Sequence, residues 1–464
     1  MPRMSAPRRS RARRVPRRNR QPVRPVGPRG GTSSYPERIP LYESILQWLS
    51  AHWSVWGAPV PLRKRLALLI SGLVAGEKAT VGDVAQKIHH LEITRAQEPS
   101  IVRRLQRLGD DPRLDPKMVL PRIYQSVLPT LLKSALNAHQ ANEPLGKAQH
   151  ARFIGVRLVV DATSKGDQVH ILSVGLAYQG IVLPLALRSW KQNVPLPDGE
   201  YLAQLIEMLS EVNSLLPPAL MDHVLLLADR GFGSPRLLDI LRGLGWHWVL
   251  RVQNQVSVRL ANGDTRPIRE LAPRPGTIWI GPSPQDGDDP LTAAFKGAGW
   301  RPCQVVAVWL DEHDEPWLLL TDLDASLQRL TDYAQRWAIE RLFLSWKSHG
   351  WELEQVGIAD LLRLRSWLTG LVLATLWRLA AAVPVAAYFL GVLPRHSYPD
   401  GHQFHLPLSH NVPWPGKFSL FTWGAKTFHD SHPTTSTPTL CWEFPDWDAP
   451  RWSQQCIDAY YGAT

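Results

Sequence analysis

Cysteine is scarce. Only Cys303, Cys441 and Cys456 occur in 464 residues, an odd number with no C-x-x-C pair. That argues against a disulfide framework and points to a reducing, cytoplasmic setting. The N-terminus lacks an apolar stretch, so no signal peptide is expected. Long uncharged apolar runs are also missing. Trp367–Leu393 is the one long apolar stretch, and it carries Arg378 in its middle and Pro384 near its end. It reads as a buried helix or helix pair, with no membrane partner expected. The first thirty residues hold no Lys, Asp or Glu.

What they do hold is eleven arginines, so the whole net charge of +11 resides there; the rest of the chain carries 41 basic and 41 acidic residues. Such an Arg/Pro-rich run repels itself and has little to bury, so residues 1–36 are expected to be a disordered tail. Arginine pairs with phosphate, which suits a nucleic-acid arm; a solubilising tail is the plainer alternative. The prolines argue against the amphipathic helix of a transit peptide. With 44% apolar residues the remainder can bury a large core, and twenty tryptophans can serve both core packing and base stacking.

A helical, DNA-binding domain is expected over 37–150. Leu66–Val74 reads as one helix. Thr80 caps a second through His90, with Val81, Val84, Ala85 and Ile88 at helical spacing. Ser100 is expected to cap a third over Ile101–Leu108, carrying Arg103, Arg104 and Arg107. Two short helices and a basic one suit a helix-turn-helix-like reader or, more plainly, a bundle with a solvated basic face.

From Arg152 the pattern changes. Phe153–Val160, Val169–Tyr178 and Ile181–Leu187 read as strands, Tyr201–Leu215 as a helix and His223–Ala228 as a strand. Ser234–Leu244 reads as a capped helix and Trp246–Val252 as a strand. The order β-β-β-α-β-α-β predicts an α/β, ribonuclease H-like mixed sheet flanked by helices. The Gly, Pro and Asp clusters of 254–316 predict a β-rich insertion. Trp317–Thr321 and a single long helix over Leu327–Ser348 return to the core, so 151–253 and 317–380 form the catalytic unit, followed by an irregular 381–464.

Asp161 and Asp229 each close an apolar strand prediction. A carboxylate at a strand's carboxyl end points into the crevice where α/β folds bind ligands, although Asp there also serves as a turn former or helix cap. Two such carboxylates brought together repel, and a divalent cation relieves the repulsion. Their oxygen donors favour Mg2+ or Mn2+. In the long helix, Tyr333, Arg336, Glu340 and Lys347 fall within about 60° of one another around the axis. A carboxylate between Arg and Lys can hold a metal while its neighbours hold phosphates; a solvated face is the bland alternative.

Tyr333-Ala-Gln-Arg336-Trp-Ala-Ile-Glu340, with Lys347 seven residues on, resembles the signature of bacterial insertion-sequence DDE transposases. Val160-Asp161-Ala-Thr163 and Ala228-Asp229-Arg230-Gly231-Phe232-Gly233 look like that family's two Asp motifs. A strand-rich insertion before the Glu is typical, and 110 residues separate Asp229 from Glu340 here. The resemblance covers about 60–380 and implies that Asp161, Asp229 and Glu340 bind two divalent ions. It implies that Tyr333, Arg336 and Lys347 hold the DNA end, and that Trp317 stacks on a flipped base; a core Trp on a buried strand is the competing reading. Cut-and-paste transposition follows, with element ends and target DNA as partners and a homodimer in the complex, at the bacterial nucleoid. In relatives the freed 3′-hydroxyl can form a hairpin on the opposite strand. The alternatives are a ribonuclease H-like nuclease without strand transfer, or a non-catalytic DNA-binding derivative. His402, His405, His410, His429, His432 and Cys441 crowd the C-terminal region without standard zinc spacing.

Overall fold

Six α-helices come first among the described residues: α1 (Leu41–His52), α2 (Val60–Ala75), α3 (Val81–His90), α4 (Glu98–Gly109), α5 (Pro116–Leu131) and α6 (Lys133–Gln140). In this computed structural model the described residues are 41–52, 59–76, 78–140, 155–178, 181–281, 292–311, 313–347 and 350–389. The Arg-rich tail and the C-terminal His/Cys cluster lie outside them. The Thr80 hydroxyl accepts from the Asp83 amide at 3.1 Å and starts α3, whose Val84, Ala85 and Ile88 are buried. α4 begins two residues before the expected cap Ser100. Pro99 fits a helical first turn because its missing N–H would have had no partner there. Ile101, Leu105 and Leu108 are buried, leaving Arg103, Arg104 and Arg107 exposed on the other side.

The core follows as β1 (Val156–Lys165), β2 (Val169–Tyr178), β3 (Ile181–Lys191), α7 (Glu200–Leu215), β4 (Val224–Ala228), α8 (Pro235–Leu244) and β5 (His247–Arg251). β1, β2 and β3 form an antiparallel meander, while β4 and β5 join β1 in parallel. This is the expected ribonuclease H-like α/β arrangement. β3 tolerates Pro184 because it is the outer strand, and the register shifts beside Gly175. The Ser234 hydroxyl caps α8 by accepting from Leu237 N.

The next strands are β6 (Ser257–Arg259), β7 (Thr265–Pro267), β8 (Thr277–Gly281), β9 (Ala293–Ala294), β10 (Arg301–Pro302), β11 (Gln304–Trp309) and β12 (Trp317–Thr321). Four of them form a small second sheet, β10-β9-β6-β7. β12, β11 and β8 instead extend the main sheet, whose order is β3-β2-β1-β4-β5-β12-β11-β8. The segment between Asp229 and the signature helices therefore widens the platform as well as adding to it.

The single helix expected over Leu327–Ser348 is two: α9 (Gln328–Ala334) and α10 (Trp337–Lys347). Between them the amides of Gln335, Arg336, Ala338 and Ile339 bond carbonyls three residues back. This is a tighter, three-residue turn that brings positions i and i+3 into line.

α11 (Leu361–Phe389) packs against α2. No helix among the described residues is long and apolar enough to cross a membrane. Arg378 bonds the carbonyls of Leu73, Val74 and Gly76 at 2.9–3.0 Å and lies 4.4 Å from the Trp351 ring centre. A cation at the last carbonyls of α2 satisfies groups that have no intrahelical partner. Trp367 and Trp351 donate to Ala79 O and Leu73 O, each at 2.7 Å. One continuous hydrophobic core runs from α1 through the sheet to α11.

Candidate active site

Parallel pairing of β1 with β4 ends at Val160 opposite Ala228. The next residue on each strand is an aspartate, so Asp161 and Asp229 stand side by side on strands about 4.8 Å apart. Contrary to expectation, β1 does not end at Asp161. β2 keeps pairing with it from Asp161↔Ser173 to Lys165↔Val169. The crevice opens because β4 stops.

The turn between α9 and α10 reaches over this point. The Tyr333 hydroxyl donates to Asp229 Oδ1 at 3.2 Å. One guanidinium nitrogen of Arg336 donates to Asp161 Oδ2 at 3.2 Å, and another to Glu340 Oε1 at 2.6 Å. These five residues thus form a cluster of two hydrogen-bonded groups, Tyr333 with Asp229 and Arg336 with Asp161 and Glu340, and the guanidinium lies 5.6 Å from the Tyr333 ring centre. Among the described residues, no three His, Cys, Asp or Glu side chains are gathered as a ready metal-binding group.

Burial pushes the Asp161 carboxyl up to about 6; the Ala162 amide and Arg336 pull it down, and the charges of Asp229 and Glu340 push it up. Burial likewise raises the Tyr333 phenol well above its ordinary range, so it stays protonated. Burial disfavours the Arg336 charge, but the carboxylates of Asp229 and Glu340 favour it, and the guanidinium's pKa stays above its usual value. The buried Nε of Arg336 has no hydrogen-bond partner among the described residues.

Lys347 lies at the far end of α10, with its ammonium 3.6 Å from Glu354. The cluster's bonds therefore do not include it. Trp317, at the start of β12, is half-buried. Its ring centre is 5.5 Å from that of Tyr333 at 76°, and 5.9 Å from His313 in a stacked pair at 28°.

Three further charged residues border the cluster. Glu315 accepts from Arg251 at 2.7 Å and from Arg230 at 3.1 Å. Arg230 follows Asp229 within its motif, and Arg251 ends β5; both could have been noticed in sequence. Glu315, 64 residues beyond Arg251, gave no signal. Gly233 has a plain structural need: an added Cβ would lie 2.8 Å from Arg251 O. Only glycine lets the Asp229 turn lie against β5 this closely.

Residues 197–377 match a family model described as the transposase DDE domain. That range includes Asp229, Tyr333, Arg336 and Glu340, and begins after Asp161. A cryo-electron microscopy structure of the piggyBac transposase synaptic complex with hairpin DNA also aligns with the chain. The alignment has 13% identity and a TM-score of 0.38 over 72% of this chain and 70% of that chain. No curated protein sequence matches.

Proposed function

We propose that this chain, which carries a transposase DDE domain, cuts the ends of a mobile element and joins them to target DNA by cut-and-paste transposition. One observation carries the proposal: a single turn, through Tyr333 and Arg336, ties together three acidic residues from distant parts of the sequence.

The donor set fits a hard divalent cation. It is made of carboxylate oxygens, and burial has already made the Asp161 charge costly. Asp161, Asp229 and Glu340 would hold Mg2+ or Mn2+, in two ions by analogy with two-metal phosphoryl transfer. When bound, such ions lower the pKa of the attacking hydroxyl and offset charge on the leaving oxygen.

The remaining roles belong to side chains. The planar guanidinium of Arg336 can exchange a carboxylate for a phosphate oxygen. Lys347 binds a neighbouring phosphate by giving up Glu354. Tyr333 orients Asp229, and its protonated phenol is a hydrogen-bond donor rather than a nucleophile. Trp317 offers a face to a flipped base. The exposed arginines of α4 contact the duplex away from the cut. Water first frees a 3′-hydroxyl at the element end; that hydroxyl then attacks target DNA. The working form is a homodimer on two ends, in the bacterial nucleoid.

The test uses the purified full chain, Mg2+, and duplexes carrying the inverted repeats that flank the coding region. Cleaved and joined products are expected. Asp161→Ala, Asp229→Ala and Glu340→Ala should each lose both products while keeping end binding. Full activity in any of the three would overturn the site. Hydrolysis of unrelated DNA without joining would instead mark a nuclease.

A further inference from the structure

Sequence and sheet order place a second aromatic group on the other side of the acidic cluster from Trp317. Trp190 is the second-last residue of β3, and its partner across the β2 pairing is His170; the two ring centres are 5.8 Å apart. Pro197-Asp198-Gly199 then turns the chain into α7, with Glu200 N bonded to Pro197 O and Gly199 in the left-handed region at φ 81°. That turn sets Tyr201 in the first turn of α7, edge-on to Trp190 at 5.8 Å. Tyr201 in turn meets Phe232 at 6.5 Å. Phe232 belongs to the tight turn after Asp229, closed by its amide on Asp229 O at 2.8 Å.

Four rings, Phe232, Tyr201, Trp190 and His170, are therefore linked by successive contacts from the Asp229 turn to β3 and on to its neighbour β2. Phe232 is buried as the inner end. Trp190 and His170 are half-buried, and Tyr201 is 39% exposed despite its size. The row starts at the acidic cluster through Phe232, whose amide bonds Asp229 O. In sheet order, β2 and β3 lie beyond β1 on one side of the two aspartates, whereas β12 with Trp317 lies beyond β5 on the other.

We propose that this row is a second nucleobase-binding track, which takes unpaired bases of the DNA strand leaving the acidic cluster on the side away from Trp317. The proposal rests on the transposase reading for its substrate, a DNA strand opened at the cut. Aromatic faces accept any base, so the track holds the strand without reading sequence. Its ligand chemistry is a single strand; a fully paired duplex offers no free base faces to it.

The test uses the full chain and one oligonucleotide containing 2-aminopurine, presented single-stranded and as a blunt duplex. The wild type should quench the single-stranded probe. Trp190→Ala combined with Tyr201→Ala should weaken single-strand binding about tenfold and remove the quench, leaving duplex binding within about twofold. Tyr201→Phe alone should behave as wild type. A folded double variant that keeps both affinity and quench overturns the proposal. Photocrosslinking of a 5-iodouracil strand to the wild type gives a check independent of variant folding. Crosslinks within 190–201 support the track, and crosslinks confined to other peptides refute it. A wild type that quenches through this row but cuts no element end refutes the transposase reading alone. A wild type that cuts and joins while the double variant still quenches refutes the track alone.

Discussion

Arg336 holds Asp161 at 3.2 Å although 175 positions separate them, and the same guanidinium holds Glu340 at 2.6 Å one helical turn away. A positive charge thus lies between two carboxylates that would otherwise repel. The arrangement makes Arg336 an organiser of the acids and, under the proposed function, a phosphate ligand. Arg336→Ala is expected to lower strand cleavage by roughly 10²–10³-fold, the loss of two charge-assisted bonds. Arg336→Lys should restore little, because an ammonium cannot span both carboxylates. Single-turnover cleavage of pre-bound ends would measure this; near-wild-type rates in the alanine variant would refute it.

Chelation provides the next expectation. Excess EDTA should abolish cleavage, and Mg2+ or Mn2+ should restore it. The Asp161 carboxyl, at about 6 without a cation, is ionised above that pH and protonated below it. Cation binding below pH 6 must displace that proton, so the Mg2+ needed for half-maximal activity should rise as pH falls through 6. A requirement that stays flat from pH 5 to 8 would contradict the assignment of Asp161 as a ligand.

The exposed arginines of α4 give a salt-dependent prediction. Replacing Arg103, Arg104 and Arg107 with Ala should weaken DNA binding and reduce the slope of log affinity against log salt by up to about 2.7. Cleavage of DNA held at saturating protein should be little changed. An unchanged slope would remove α4 from the DNA-contacting surface.

Stability offers two independent readouts. Thr80→Ala removes the acceptor at the start of α3 and should cost about 1 kcal/mol in denaturant unfolding. Cys303 is buried, and burial pushes its thiol up to about 12. At pH 8 it is protonated and covered, so alkylation there should wait for local opening. Peptide mapping that finds Cys303 modified as fast in the native chain as in the unfolded one would contradict this.

Much of the core was legible in sequence because its signals are local. The apolar runs before Asp161 and Asp229 are short, β-rich and bounded by turn residues. The caps at Thr80 and Ser234 also act within three residues. Three features could not be read this way. Residues 327–348 contain no Gly or Pro, so nothing marks the tightened turn at Gln335 and Arg336; long-range bonds to Asp161 and Asp229 accompany it. The extension of β1 past Asp161 depends on pairing with β2, and the entry of β8 and β11 into the main sheet depends on partners far along the chain. Start positions were also vulnerable: Ser100 looked like a cap, but Pro99 supports an earlier first turn.

The grip of Arg378 on the end of α2, with Trp351 and Trp367 anchored to the same neighbourhood, has a consequence for how DNA would be measured. A helical region locked to the sheet through one shared core cannot swivel to meet a displaced cut site. Any base pairs contacted by α4 should sit at a fixed separation from the cleavage point, as marks on a gauge do. Adding or deleting a few base pairs between them would put the scissile phosphate out of reach, even with both segments intact.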